Sequence, residues 1–248
     1  MPLKTAISVA IAIFAITVLS QMPAAVLPWL LPAALRCDTP SGTLWEGSCA
    51  ELHGSGWELA DVHWTLHPAA LLRAQLSADL LSADPRAAGQ TRATLHLNGL
   101  LELERLDARV PLQDGFSLLP AGWSGTLELN VERASFRSGQ LNALQGHIIL
   151  RQLRSEHPAA DLGSFELDVP APAADASGPS TPIVGQLRDL DGPLSVQGQL
   201  RLSNQGAYEL SGTLAPRGDA SPDLRQALQL LGPPDAQGRY PLSLAGTV

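Results

Sequence analysis

Two cysteines, six histidines and a set of scattered carboxylates are the residues of this 248-residue chain with the most chemistry to offer. Cys37 and Cys49 are its only cysteines, and they close the stretch CDTPSGTLWEGSC. Their spacing is not the C-x-x-C of a redox centre. Two thiols without clustered histidines make a weak zinc site. Outside a reducing cytoplasm such a pair tends to join, so a structural disulfide is the favoured reading. A tight turn centred on Thr43, beside Gly42, would set the two cysteines opposite each other on antiparallel strands. His63 and His67 stand four apart, which is a metal pair on a helix. Along a strand that spacing is about 13 Å, and Pro68 opposes a helix there. His53, His96, His147 and His157 are isolated in sequence and read as solvated side chains. No metal site is expected.

Nucleophilic and phosphate chemistry find no footing. The sequence has no G-x-S-x-G elbow, since GWSGT and HGSGW have other spacings. It has neither a P-loop nor a G-x-G-x-x-G turn. Lys4 is the single lysine, which removes Schiff-base and lysine-general-base mechanisms. Glu102 and Glu104 alternate like a solvated strand face, and Asp189 and Asp191 frame a turn. No catalytic residue and no cofactor are expected. The net charge is −8, and Lys4 and Arg36 are the only charges before residue 37, so the body is more acidic still. An acidic exterior without a basic stripe excludes nucleic acid as a partner.

The elements that must carry these residues begin with an apolar run. TAISVAIAIFAITVLS, residues 5–20, holds no charge, and apolar character resumes after Gln21 through residue 31. A span needs about 20 apolar residues. No small-residue cleavage site precedes a polar start, which favours an uncleaved anchor over a signal peptide. Residues 1–35 are therefore expected to be an inner-membrane anchor with a short cytoplasmic N-terminus. Lys4 sets the orientation by the positive-inside rule, and Trp29 suits the outer interface. Residues 36–248 are expected to form the periplasmic part.

From residue 40 the pattern has period two. In GWELADVHWTL, Trp57, Leu59, Asp61, His63 and Thr65 fall on one face, and Glu58, Ala60, Val62, Trp64 and Leu66 on the other. Segments such as TLHLNGLLELERLDARV, SGTLELNVERASF and GPLSVQGQLRLS repeat this habit between Gly, Pro, Asn and Asp, as antiparallel hairpins do. SGTL recurs at 41–44, 124–127 and 211–214. With strand following strand, the fold class is all-β. One curved, largely antiparallel sheet is expected, an open barrel or groove, with one or two short helices. HPAALLRA (67–74) and SPDLRQALQLLG (221–232) read as those helices. In the second, Ser221 is the N-cap, Pro222 the first helical residue and Gly232 the stop, with Leu224, Leu228 and Leu231 as the apolar stripe. Residues 170–182, rich in Pro, Ala and Ser, read as a flexible loop within the sheet. Trp45, Trp57 and Trp64 lie within twenty residues and read as a core anchor.

An anchor followed by SGTLWEGSCAELHGSGWELADVHWTLHPAALLRAQL and closed by LGPPDAQGRYPLSLAGTV resembles the type II secretion system protein N family. That family's G-T-x-W-x-G block maps to Gly42, Thr43, Trp45 and Gly47. Its W-x-L-x-P-x-x-L-L block maps to Trp64, Leu66, Pro68, Leu71 and Leu72. Its terminal G-x-P-x-x-x-G-R maps to Gly232, Pro234, Gly238 and Arg239. The cysteines are not part of this pattern. The resemblance implies a non-enzymatic, single-pass inner-membrane component that supports export of folded proteins across the outer membrane. Its implied partners are the outer-membrane secretin, the inner-membrane platform and inner-membrane lipid. Similar openings and endings occur in AsmA-like inner-membrane proteins, which leaves a lipid-binding or lipid-transferring β groove as the alternative.

Overall fold

The computed structural model describes residues 17–18, 20–27, 35–54, 57–112, 122–156, 159–171 and 182–247. The chain is all-β and antiparallel throughout, and it divides into two compact units, residues 1–96 and 97–248. In the N-terminal unit the strands are β1 (Arg36–Asp38), β2 (Ser41–Gly42), β3 (Glu46–Gly54), β4 (Trp57–Leu66), β5 (Gln75–Ser82) and β6 (Ala88–His96). They run in the order β1-β3-β4-β5-β6, with β2 also paired to β3. A one-turn helix, α1 (Pro68–Leu71), joins β4 to β5 with Pro68 at its start, as a proline at a first helical position allows.

The C-terminal unit is a meander of β7 (Leu100–Leu112), β8 (Trp123–Arg137), β9 (Gln140–Glu156), β10 (Ala159–Val169), β11 (Ile183–Asp191), β12 (Leu194–Leu202), β13 (Ala207–Pro216) and β14 (Tyr240–Thr247). Within each unit the first and last strands do not pair among the described residues, so each sheet is open. Most of the expected loop at 170–182 lies outside the described residues, but β10 and β11 pair across it, which keeps both sides in one sheet.

Alternation of apolar and polar residues gives the second sheet one continuous apolar face. Ala108 opposes Leu129, Leu129 opposes Ile148, Ile148 opposes Leu167, and Leu167 opposes Leu187. Directly opposed residues point to the same side of a sheet. The row continues through Gly198 and Gly212 to Leu242. Helix α2 (Pro222–Gln229) covers part of this face. The Ser221 hydroxyl accepts from the Leu224 amide at 3.2 Å, an N-cap that holds the helix start. Leu224 and Leu228 pack with Phe165, Leu194, Val196 and Leu214, each burial contributing about 2 kcal/mol. The expected third member of the stripe does not join them: the helix ends before Leu231, which stays exposed.

One expectation for the N-terminal unit is corrected. Strict alternation along β4 would put Leu59 opposite Val62, Trp64 and Leu66, yet all four share one cluster. The break is at Asp61, whose φ is +51°. A left-handed residue inside a strand turns the following side chains over. The buried carboxylate of Asp84 fixes the break by accepting from the Ala60 amide at 3.0 Å. Asp84 also accepts from the Arg86 amide at 2.8 Å, and that bond foremost holds its carboxyl below the usual range.

The expected anchor at residues 1–35 falls mostly outside the described residues. No helix among the described residues is long and apolar enough to cross a membrane, and most of 5–31, Trp29 included, lies outside them. Residues 22–24 are bonded into the folded unit. The Met22 carbonyl accepts the Leu44 amide at 2.8 Å, Pro23 bridges to Thr43, and Ala24 is 1% exposed.

Candidate functional site: an apolar cavity in the N-terminal unit

The two N-terminal motif blocks fold into one device. Thr43 and Glu46 close a turn, the Thr43 amide donating to the Glu46 carbonyl at 2.8 Å and the Glu46 amide to Thr43 Oγ1 at 3.1 Å. Gly42 pairs with Gly47, and Gly47 opposes Trp64 on the next strand. A Cβ on Gly47 would lie 2.5 Å from Trp64 Cζ2 and 2.5 Å from the Ser41 carbonyl oxygen. The glycine is thus what lets the indole lie flat across β3. Trp64 Nε1 donates to the Leu44 carbonyl at 3.0 Å, which ties the ring to the turn.

The turn lies between Thr43 and Glu46, not on Thr43, and this moves the register. Cys37 opposes Leu52 rather than Cys49. The structure nevertheless joins Cys37 and Cys49 in a disulfide, with Cα atoms 5.8 Å apart. The strand edge is broken at Thr39, φ +50°, between β1 and β2. The bridge runs diagonally across that break.

Below the turn lies a cavity of about 450 Å³. Its walls come from the turn and the segment before it (Leu27, Leu35, Leu44, Trp45), the disulfide, β3 and β4 (Leu52, Val62, Trp64, Leu66), and α1 and β5 (Leu71, Leu76, Ala78, Leu80). It opens past Leu71 and Leu76, which are 48% and 44% exposed. Four motif residues, Trp45, Trp64, Leu66 and Leu71, line it, whereas Leu72 points into solvent at 91% exposure. Trp64 is a core residue and Trp45 is half-buried, while the Trp57 side chain lies outside the described residues. Such a space suits hydrocarbon and offers nothing to a reacting polar group.

The titratable groups face one another rather than this cavity. His53 Nε2 is 3.3 Å from Asp38 and 3.6 Å from Glu51, and its Nδ1 is 3.7 Å from Glu58. The ligand-type atoms of Asp38, Glu51 and His53 lie within 4.8 Å of one another. Both of these carboxylates are exposed, and a histidine among surface carboxylates is an ordinary ion-pair arrangement. The histidines read as isolated in sequence thus gain neighbours across strands. His67 Nε2 is 2.8 Å from Asp79, His147 Nδ1 is 3.3 Å from both Glu166 and Asp168, and His96 contacts Gln75 at 3.2 Å. His63 pairs with Asp61 at 3.0 Å. His157 lies outside the described residues.

The third motif block sits in the C-terminal unit and is structural. Asp235, which the pattern does not single out, organises it. Its carboxylate accepts from the amides of Gln237 and Arg239 at 2.8 and 2.9 Å and from Arg239 Nε at 2.9 Å. Gly232 and Gly238 carry φ of +118° and +76°, and the turn through Pro234 delivers the chain into β14. An Asp four residues before Arg, ahead of a strand, is the sequence signal for such an Asx turn.

With this arrangement in view, the comparison with known families is decisive. A model of the family described as type II secretion system (T2SS), protein N, matches residues 33–243. The chain belongs to that family. It is 26% identical to the type II secretion system protein N of Aeromonas hydrophila over 231 residues, covering 88% of this chain and 87% of the relative. The Vibrio cholerae protein of that name is 26% identical over 243 residues, covering 93% and 92%. That of Pectobacterium carotovorum is 24% identical over 254 aligned positions, covering 99% of each. No solved structure matches the chain.

Proposed function

We propose that this chain is a non-enzymatic accessory component of the type II secretion system, anchored in the inner membrane with both β units in the periplasm. It would work beside the outer-membrane secretin and the inner-membrane platform. The observation that carries this reading is the family match, which at residues 33–243 runs through both units. The disulfide supports an oxidising compartment. Because residues 22–27 are built into the fold, the anchor is proposed for residues 5–21, about the shortest length that spans a bilayer. Deletion of the gene is expected to leave exported proteins in the periplasm, with export restored by the intact chain. Unchanged export would overturn the secretion role. Intact mass of the membrane-extracted protein tests the anchor, and a mature start beyond residue 20 would remove it.

A second reading, lipid handling, is favoured by one observation: the apolar row that crosses every strand of the C-terminal sheet, from Ala108 to Leu242. An open sheet with an apolar face is the least that a lipid-binding groove requires.

A further inference from the structure

We propose that the cavity of the N-terminal unit holds one acyl chain of a membrane phospholipid. This deepens the lipid-handling reading, and it stands or falls separately from the secretion role.

The walls carry the first part of the case. Among the described residues, every lining residue is aliphatic, tryptophan or half of the disulfide. The Trp64 indole N–H is already committed to the Leu44 carbonyl. A hydrocarbon chain entering this space leaves water and strands no polar group. A peptide strand would bring N–H and C=O groups against walls that, among the described residues, offer no side-chain acceptor and no donor beyond the two indoles. Chemistry therefore favours a chain of methylenes over an extended polypeptide.

The second part is that no side chain among the described residues fills the space. Protein interiors pack to the density of organic crystals. Here the helix at the mouth is one turn long, buries none of its residues, and leaves Leu71 half in solvent. Leu76, across the mouth, is exposed to a similar degree. Large apolar side chains at the rim of an apolar hollow mark a binding site more often than a packing fault.

Position supplies the occupant. The first apolar run ends at Ser20, and two residues later the Met22 carbonyl is bonded to Leu44, a wall residue. Leu27, five residues further on, is also in the wall. With residues 5–21 in the bilayer, the cavity is tethered within a few residues of the membrane surface, each adding at most about 3.5 Å of reach. The hydrocarbon most concentrated at that surface is the tail of a phospholipid.

The test uses the full chain, extracted from membranes in non-ionic detergent, washed, and examined by native mass spectrometry with phosphatidylethanolamine titrated back. About one phospholipid per chain is expected. Leu76→Glu sets a carboxylate at the mouth, and Ala78→Phe fills the wall. Each is expected to lower occupancy by about tenfold or more. Leu97→Glu, at a residue 85% exposed and outside the cavity, is expected to leave occupancy unchanged. Thermal unfolding checks that the variants fold; should Ala78→Phe fail, the exposed Leu76 position carries the test alone. Absence of bound lipid in the wild-type chain, or occupancy in both cavity variants equal to that of the wild type, would overturn the proposal. So would a photoreactive group at Leu76 that captures protein, including residues 28–34 of the same chain, instead of lipid. Export measured in the same strains separates the two readings: a chain that keeps its lipid while its deletion leaves export intact overturns only the secretion role.

Discussion

The two units solve one packing problem in opposite ways. Each presents an apolar sheet surface with a short helix beside it, and each helix begins at a proline. In the C-terminal unit, α2 runs two turns, is capped by Ser221, and drives Leu224 and Leu228 into the sheet. In the N-terminal unit, α1 has four residues, no side-chain cap and no buried residue, and its Leu71 borders a cavity of about 450 Å³. The difference comes from sequence. SPDLRQALQ carries a cap and leucines four apart, whereas HPAAL ends before a second apolar position can reach the sheet. One unit has a plugged face and the other an open one. What closes the N-terminal end covalently is the disulfide, which ties β1 to β3 without filling the hollow.

The sharpest way to break this comparison is to truncate equivalent leucines. Leu228→Ala removes a buried side chain from a packed cluster and is expected to cost about 3–5 kcal/mol in denaturant unfolding. Leu71→Ala removes one that already borders empty space and is half in solvent, so a cost under about 1 kcal/mol is expected. Equal costs would mean that the N-terminal cavity is filled in the protein itself. Next in size is the bridge. Cys37→Ser with Cys49→Ser is expected to cost about 3 kcal/mol through the short loop it frees. Hydrogen exchange should rise in β1 and β3 and remain unchanged in β9 to β13. Export at moderate temperature is expected to persist; export lost from a folded protein would give the cysteines a redox role.

Much of this contrast was legible in the sequence, and what was not has a common cause. Alternation gave the strands, and Ser221 and Pro222 gave the start of α2 because capping is local chemistry, whereas the helix ends at Gln229, ahead of the expected stop at Gly232. The opening turn was legible as a turn, but its centre was misplaced. Hairpin register depends on Gly47 meeting Trp64, a contact from another strand. The reversal at Asp61 left no periodic trace either, since it is stabilised by Asp84, more than twenty residues away. The cavity wall draws on both: the reversal brings Leu59 and its partner Leu52, a wall residue, to the side that Val62, Trp64 and Leu66 already share. Leu76, Ala78 and Leu80 then complete its wall through strand pairing alone. Motif residues announced the place, and the register made the hollow.

Charge offers the finest test, because each unit holds a carboxylate clasped by arginine on its polar side. Glu128 is the more enclosed, with Arg151 Nε at 2.6 Å and Arg109 Nη2 at 2.7 Å; the bond from Arg151 foremost holds its carboxyl below the usual range. Glu128→Gln is expected to cost about 1–2 kcal/mol at neutral pH, as loss of a hydrogen bond to a charged partner does. Arg92 Nε donates to Asp79 Oδ1 at 2.6 Å and Nη2 to Oδ2 at 3.0 Å, and His67 Nε2 meets the same Oδ2 at 2.8 Å. The Arg92 hydrogen bond, working against partial burial, lowers its pKa to about 2. A carboxylate whose folded value lies below its unfolded value of about 3.9 stabilises the fold at higher pH and loses that contribution on acidification. The loss should therefore fall between about pH 4 and pH 2. With the Asp79 side chain 44% exposed, screening by solvent limits it to about 0.5–1 kcal/mol. Asp79→Asn is expected to remove that acid-dependent step from the N-terminal unit and to leave the one at Glu128 in place. Urea melts followed by hydrogen exchange in β5 and in β8 from pH 7 to 2 would read both; a step surviving in β5 of the variant would assign the sensitivity to another group.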